Sequence, residues 1–139
     1  MRAVEVFAHG NEKGAELMIS PAPVSNNLTI AISKINQIQP DLVITTGDLI
    51  QDRLNSHHAD IVKELYSKLN CDYYFASGNA DLTNIPEFED IERYKQRFGS
   101  DYYSFYHSKS QFIILNSSVL FDWSKVPGEN IKQIEFLKT

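Results

Sequence analysis

Between Asn26 and Phe98 the apolar residues change period again and again, and this alternation constrains the fold more than any other feature. Leu28, Ala31, Ile32, Ile35 and Ile38 recur at three- and four-residue steps, the signature of one helix face. Ser25 or Asn26 can cap the start of that helix, and Pro40 stops it. Asp41 to Thr46 is then a short β-branched run that reads as a buried strand. Ile61, Val62, Leu65 and Leu69 mark a second helix, capped by Asn55 or Ser56, and Tyr73 to Ala76 a second strand. Phe88, Ile91, Tyr94 and Phe98 mark a third helix, which Gly99 closes. Strand and helix in this order predict an α/β layered fold with a largely parallel central portion.

Beyond Gly99, Tyr102 to Tyr106 and Gln111 to Leu115 read as two strands joined by the polar turn His107 to Ser110. The aromatics of the first strand are expected to pack the sheet. A last helical stripe runs through Ile131, Ile134 and Leu137. Residues 1–25 hold Gly10, Gly14, Pro21 and Pro23 without apolar periodicity and are expected to be an irregular segment. That leaves residues 26–139 as the folded domain, and 139 residues suit one hydrophobic core.

Composition excludes several classes of function. The net charge of −5 would repel a phosphate backbone, so no specific nucleic-acid partner is expected. No apolar run has the length of a membrane span, and no signal peptide is evident, which predicts a cytoplasmic protein without a membrane partner. Cys71 is the lone cysteine, so no internal disulfide is expected, and it reads as a small buried thiol at a strand entrance. The sequons at Asn27 and Asn116 read as chance matches.

In open α/β sheets ligands bind beyond the carboxyl ends of the strands. Two polar clusters fall there. Gly47-Asp48 follows the strand ending at Thr46, and Gly78-Asn79-Ala80-Asp81 follows the strand ending at Ala76. Glycine permits a sharp turn and close approach of a ligand. Asp supplies a hard anionic oxygen and Asn a neutral one, and both suit divalent ions. The same residue types are common in turns, so spacing alone leaves a plain turn reading open.

The stretch from Pro40 through Gly47-Asp48 to Ile50 closely resembles the second metal-binding block of calcineurin-like metallophosphoesterases. Gly78-Asn79-Ala80-Asp81 is similar to the family's third block, Gly-Asn-His-Asp or Gly-Asn-His-Glu. Phe98 to Phe105 and Phe112 to Ser117 resemble the branch of calcineurin-like phosphoesterase-domain-containing proteins. The resemblance covers Asn26 to Leu137. It implies a partial layered metallophosphoesterase fold with a central mixed sheet and flanking helices. It also implies two divalent ions (Mn, Fe or Zn) and metal-dependent hydrolysis of phosphate mono- or diesters. Asp48 would then bridge the ions and Asn79 would bind the second. The substrate would be a phosphorylated small molecule or a phosphoprotein.

The chain departs from the family pattern in three places. Phe7 stands where the family's opening carboxylate belongs, although His9 lies at a plausible distance before Asp48. Ala80 replaces the histidine that assists the family's chemistry. Nothing after Asn79 resembles the family's late histidine blocks, and the only later histidine is His107, in the hairpin turn. The expected metal ligands are therefore Asp48, Asn79 and His9, an incomplete set, in a chain that looks truncated. Asp81 and Asp52 are expected behind them, as residues that turn or orient the two loops. His57 and His58 read as solvated surface residues. Ser77 lacks the surroundings of a nucleophilic serine. A non-catalytic family member acting as a binding module is the alternative function.

Overall fold

The structure, a computed structural model, describes residues 3–6 and 24–138. Strands β1 (Ala3–Val6), β2 (Leu42–Thr46) and β3 (Asp72–Ala76) form a parallel sheet in the order β1-β2-β3. Val4 pairs with Val43, and Val43 with Tyr73. Helix α1 (Val24–Ile38) connects the first two strands and α2 (Ser56–Tyr66) the next two. Of the segment expected to be irregular, residues 3–6 and 24–25 thus belong to β1 and α1. Val4 and Val6 give that strand its β-branched character.

The parallel sheet packs on a core that the sequence pattern largely foretold. Leu28, Ile32, Val62, Leu65, Phe75 and Ile91 all belong to one buried cluster. Asn55 caps α2, its side chain accepting from the His57 N–H at 3.0 Å. Inside the core, Tyr66 on α2 meets Thr45 on β2 through a 2.7 Å hydroxyl–hydroxyl bond, which fixes the helix over the strand. Ile38 is exposed, so the apolar stripe of α1 reaches solvent at its last turn. Cys71 is half-buried just ahead of β3, and burial pushes its thiol pKa up.

After β3 come the short helix α3 (Asn79–Leu82) and the longer α4 (Phe88–Phe98), which ends at Gly99 with φ 92°. Strands β4 (Tyr103–His107) and β5 (Ser110–Ile114) pair antiparallel, Phe105 opposite Phe112. Among the described residues they form a two-stranded antiparallel sheet beside the three-stranded parallel one, with helices around both, as a partial layered metallophosphoesterase fold has. Tyr74 of β3 stacks on Phe105 at 3.4 Å between ring centroids, and Phe105 stacks on Phe112. The Tyr103 hydroxyl accepts from Phe75 N–H at 3.0 Å and donates to Phe75 C=O at 2.8 Å. A side chain thereby occupies both backbone groups of one residue on the outer edge of β3.

The chain closes with α5 (Ser117–Phe121) and α6 (Glu129–Phe136). The apolar stripe of α6 faces outward: Ile131, Ile134 and Leu137 are exposed, while Gln133 is completely buried. Gln133 Oε1 accepts from Asn116 N–H at 2.6 Å, and its amide donates to Asn116 C=O at 3.3 Å. Asn116 in turn donates to Asp101 Oδ2 and caps α5 through Val119 N–H. An asparagine buried and bonded in this way cannot carry a glycan in the folded chain, whatever its sequon. Among the described residues no helix is long and apolar enough to cross a membrane.

Candidate metal site

Strands β2 and β3 lie side by side in register to their last residues, with Thr46 opposite Ala76. Their exits therefore start from one place. Gly47 leaves β2 at φ 105° and Asp48 follows at φ 53°, a left-handed pair that Gly and Asp tolerate better than most residues. The two exits then touch. A Cβ on Gly47 would lie 2.7 Å from Gly78 Cα, and one on Gly78 would strike the Asp48 backbone and carboxylate. Each glycine is required by the other loop.

This approach lets the loops bond across the sheet end. The Ala80 N–H donates to Asp48 Oδ1 at 3.0 Å. Asp81 ties the same loops from beneath: Oδ1 accepts from Ile50 N–H at 3.1 Å and Oδ2 from Gly78 N–H at 2.8 Å. Its carboxyl is only 4% exposed. Burial is the main cause that pushes its pKa up to about 6; the Gly78 and Ile50 N–H groups oppose the rise, and the Asp48 charge adds to it.

Asn79 is exposed at the first position of α3, one residue from the Asp48 hydrogen bond. Asp48 is half-buried. The structure thus brings the Asp48 carboxylate beside the start of α3. His9 lies outside the described residues. Asp52 is exposed and builds the turn into α2, its Oδ1 accepting from Leu54 N–H at 2.9 Å and its C=O from Asn55 N–H at 3.0 Å. His57 is exposed, whereas His58 is half-buried with Nδ1 enclosed and no hydrogen-bond partner among the described residues. His107 ends β4 in the hairpin. Ala80 offers only its backbone.

The oxygens of Asp48 and Asn79 have the chemistry of ligands for a hard divalent cation, and Asp48 Oδ1 is already oriented by a backbone donor. Two such donors alone would not complete a coordination shell. Among the described residues no group of three His, Cys, Asp or Glu side chains gathers around one point. The sequence reading passed over a second charged group near these loops, Arg53 with Asp90 and Arg93. Its only sequence signal is the three-residue spacing of Asp90 and Arg93, which puts both on one face of α4.

Residues 25–138 match the profile of the family described as calcineurin-like phosphoesterase. The chain is 32% identical over 125 residues to serine/threonine-protein phosphatase CPPED1 of Rattus norvegicus, covering 86% of this chain and 38% of that protein. Its similarity to the Mus musculus protein of the same name is 31% over 127 residues, 87% of this chain and 39% of the relative. With the Danio rerio protein it shares 31% over 105 residues. The chain spans about two fifths of the length of the first two relatives.

Proposed function

This chain belongs to the calcineurin-like phosphoesterase family, and on that premise we propose that it contributes to metal-dependent hydrolysis of phosphate mono- or diesters in the cytoplasm. Its substrates would be phosphorylated small molecules or phosphoproteins; the relatives are named as serine/threonine-protein phosphatases. The observation that carries the reading is the locked pair of strand exits, with Asp48 bonded to the Ala80 N–H.

Asp48 and Asn79 would hold the metal, with His9 as a further ligand. Divalent metal held there, two ions in a complete site, would supply Lewis-acid polarisation of a phosphoryl oxygen and activation of water. The chain's own residues prepare that place. Gly47 and Gly78 admit the close approach, Ala80 N–H fixes one Asp48 oxygen, and Asp81 pins both loops through backbone N–H groups. The Ala80 side chain has no acidic proton, so leaving-group protonation has no side-chain donor at that position, a loss typically of about 10²–10⁴-fold.

The test is steady-state hydrolysis of bis-p-nitrophenyl phosphate and p-nitrophenyl phosphate by this chain and its Asp48→Ala variant, with Mn²⁺, Zn²⁺ or Fe²⁺. Slow, metal-dependent turnover that disappears in the variant supports the proposal. Turnover equal in both proteins overturns the assignment of Asp48. No turnover and no metal uptake by either favours the non-catalytic binding module.

A further inference from the structure

The loop of residues 47–55 carries Asp48 out of β2 and delivers the chain to α2. A segment without a regular ladder of its own must find other partners for its backbone groups. This loop finds them on the chain that follows β3. Ala80 N–H donates to Asp48 Oδ1, and Ile50 N–H donates to Asp81 Oδ1. A third fastening lies further on, at Arg53, and α4 makes it.

Arg53 is held at two points. Arg97 Nη1 donates to its backbone C=O, and its own Nε donates to Asp90 Oδ1 at 2.9 Å. An ion pair at a side chain 37% exposed holds weakly by itself. The bond to the C=O restrains the backbone directly, and a guanidinium donor makes it stronger than a neutral one. Asp90 and Arg97 lie about two helical turns apart, so they share one face of α4 with Arg93. That helix is a firm base, because Ile91 and Tyr94 on its neighbouring face are buried in the core cluster. Asp90 is also buried, and it accepts from Glu87 N–H at 3.2 Å and from Arg93 Nη1 at 2.7 Å.

The arginines of this group differ in what they join. Arg93 bonds Asp90 within a single helix, and so braces the carboxylate without touching the loop through that bond. Arg53 and Arg97 link α4 to the loop, and both links end on one residue. Residues 48, 50 and 53 are therefore pinned in succession by Ala80, Asp81 and α4. A chain fixed at three such closely spaced points has little room to shift between them.

The geometry points to Arg53 and Arg97 as positioning residues for Asp48: α4 holds Arg53, and Arg53 keeps the loop where the Asp48 carboxylate meets the Ala80 N–H. Outer supports of this kind typically change metal affinity by about 10–100-fold. Only the effect on metal rests on the reading of Asp48 as a ligand. The hold on the loop needs neither metal nor turnover.

The experiment compares the parent with Arg97→Met, Arg53→Gln and Arg93→Gln. Methionine keeps the packing of the arginine stem but donates nothing. Amide hydrogen exchange is followed by NMR with chelator present, and the rate at Ala80 N–H is read against that at Val62 N–H in the core. Mn²⁺ is then titrated into each protein by electron paramagnetic resonance. In Arg97→Met and Arg53→Gln the Ala80 amide should exchange about tenfold faster or more relative to Val62, and Mn²⁺ should bind about tenfold more weakly. Arg93→Gln, which loses a bond to the same carboxylate, should leave both ratios at the parent value. An unchanged Ala80 ratio in Arg97→Met, or an equal effect in Arg93→Gln, overturns the positioning role; Arg53→Gln decides if Arg97→Met does not fold. Faster exchange at Ala80 in a chain that takes up no Mn²⁺ would sink the metal reading and leave the positioning role standing. Mn²⁺ uptake that Asp48→Asn abolishes, with Ala80 exchange indifferent to Arg97 and Arg53, would do the reverse.

Discussion

The Ala80 N–H and Asp48 Oδ1 are joined at 3.0 Å across the ends of two neighbouring strands. This bond holds one oxygen of the carboxylate that the site offers to a cation. Asp48→Asn should weaken Mn²⁺ binding by at least about tenfold, because a neutral amide replaces the anionic ligand. Electron paramagnetic resonance titration measures it, and an unchanged affinity would remove Asp48 from the ligand set.

Gly78→Ala tests the contact between the loops. The added methyl would meet the Asp48 backbone nitrogen, which cannot swing away, and the Asp48 carboxylate, which the Ala80 N–H holds. A destabilisation of about 1–3 kcal/mol is expected from overpacking. Urea unfolding reads it as a lower midpoint, whereas the same substitution at exposed Gly99, with open space around it, should show only the cost of its φ of 92°.

Asp81→Ala removes the acceptor from the N–H groups of Ile50 and Gly78 at once. Leaving a buried donor unsatisfied costs about 1–3 kcal/mol, so this variant should lose more stability than Asp81→Asn, which keeps one side-chain oxygen. Equal losses would mean that the hydrogen bonds to the loops contribute little.

Asp90 gives stability a pH dependence of known sign. Burial alone would raise its pKa, but hydrogen bonds from Arg53 and Arg93 and the Glu87 N–H more than offset it, and the folded value lies below the ordinary 3.8. Its contribution is therefore complete above about pH 4 and is lost as the pH falls through the folded value. Asp90→Asn should be less stable than the parent at neutral pH, with the difference narrowing on acidification below pH 4. A constant difference in thermal midpoint across that range would count against the ion cluster.

The α/β order, the helix boundary at Gly99 and the two strand exits were legible because each rests on local period or on a turn residue. Phe88 to Phe98 was read to the residue. The burial of α6 was not legible. Its apolar stripe of Ile131, Ile134 and Leu137 is exposed and Gln133 is buried, since the Asn116 backbone needs a partner that only the tertiary fold reveals. The Asp48–Ala80 bond escaped for a related reason: Ala80 was read by its missing side chain, while its backbone N–H does the bonding. Arg53 and Asp90 are 37 positions apart and carry no shared pattern.

The double bond of the Tyr103 hydroxyl to Phe75 has a consequence for self-association. β3 lies at the border of the parallel sheet among the described residues, and such a border can recruit a foreign strand through its open N–H and C=O groups. At mid-strand both groups are already taken by a phenol. An invading chain would have to evict Tyr103, and with it the hairpin it belongs to, before a continuous ladder could grow. One tyrosine therefore acts as a gatekeeper against sheet extension at the strand that leads into Asn79.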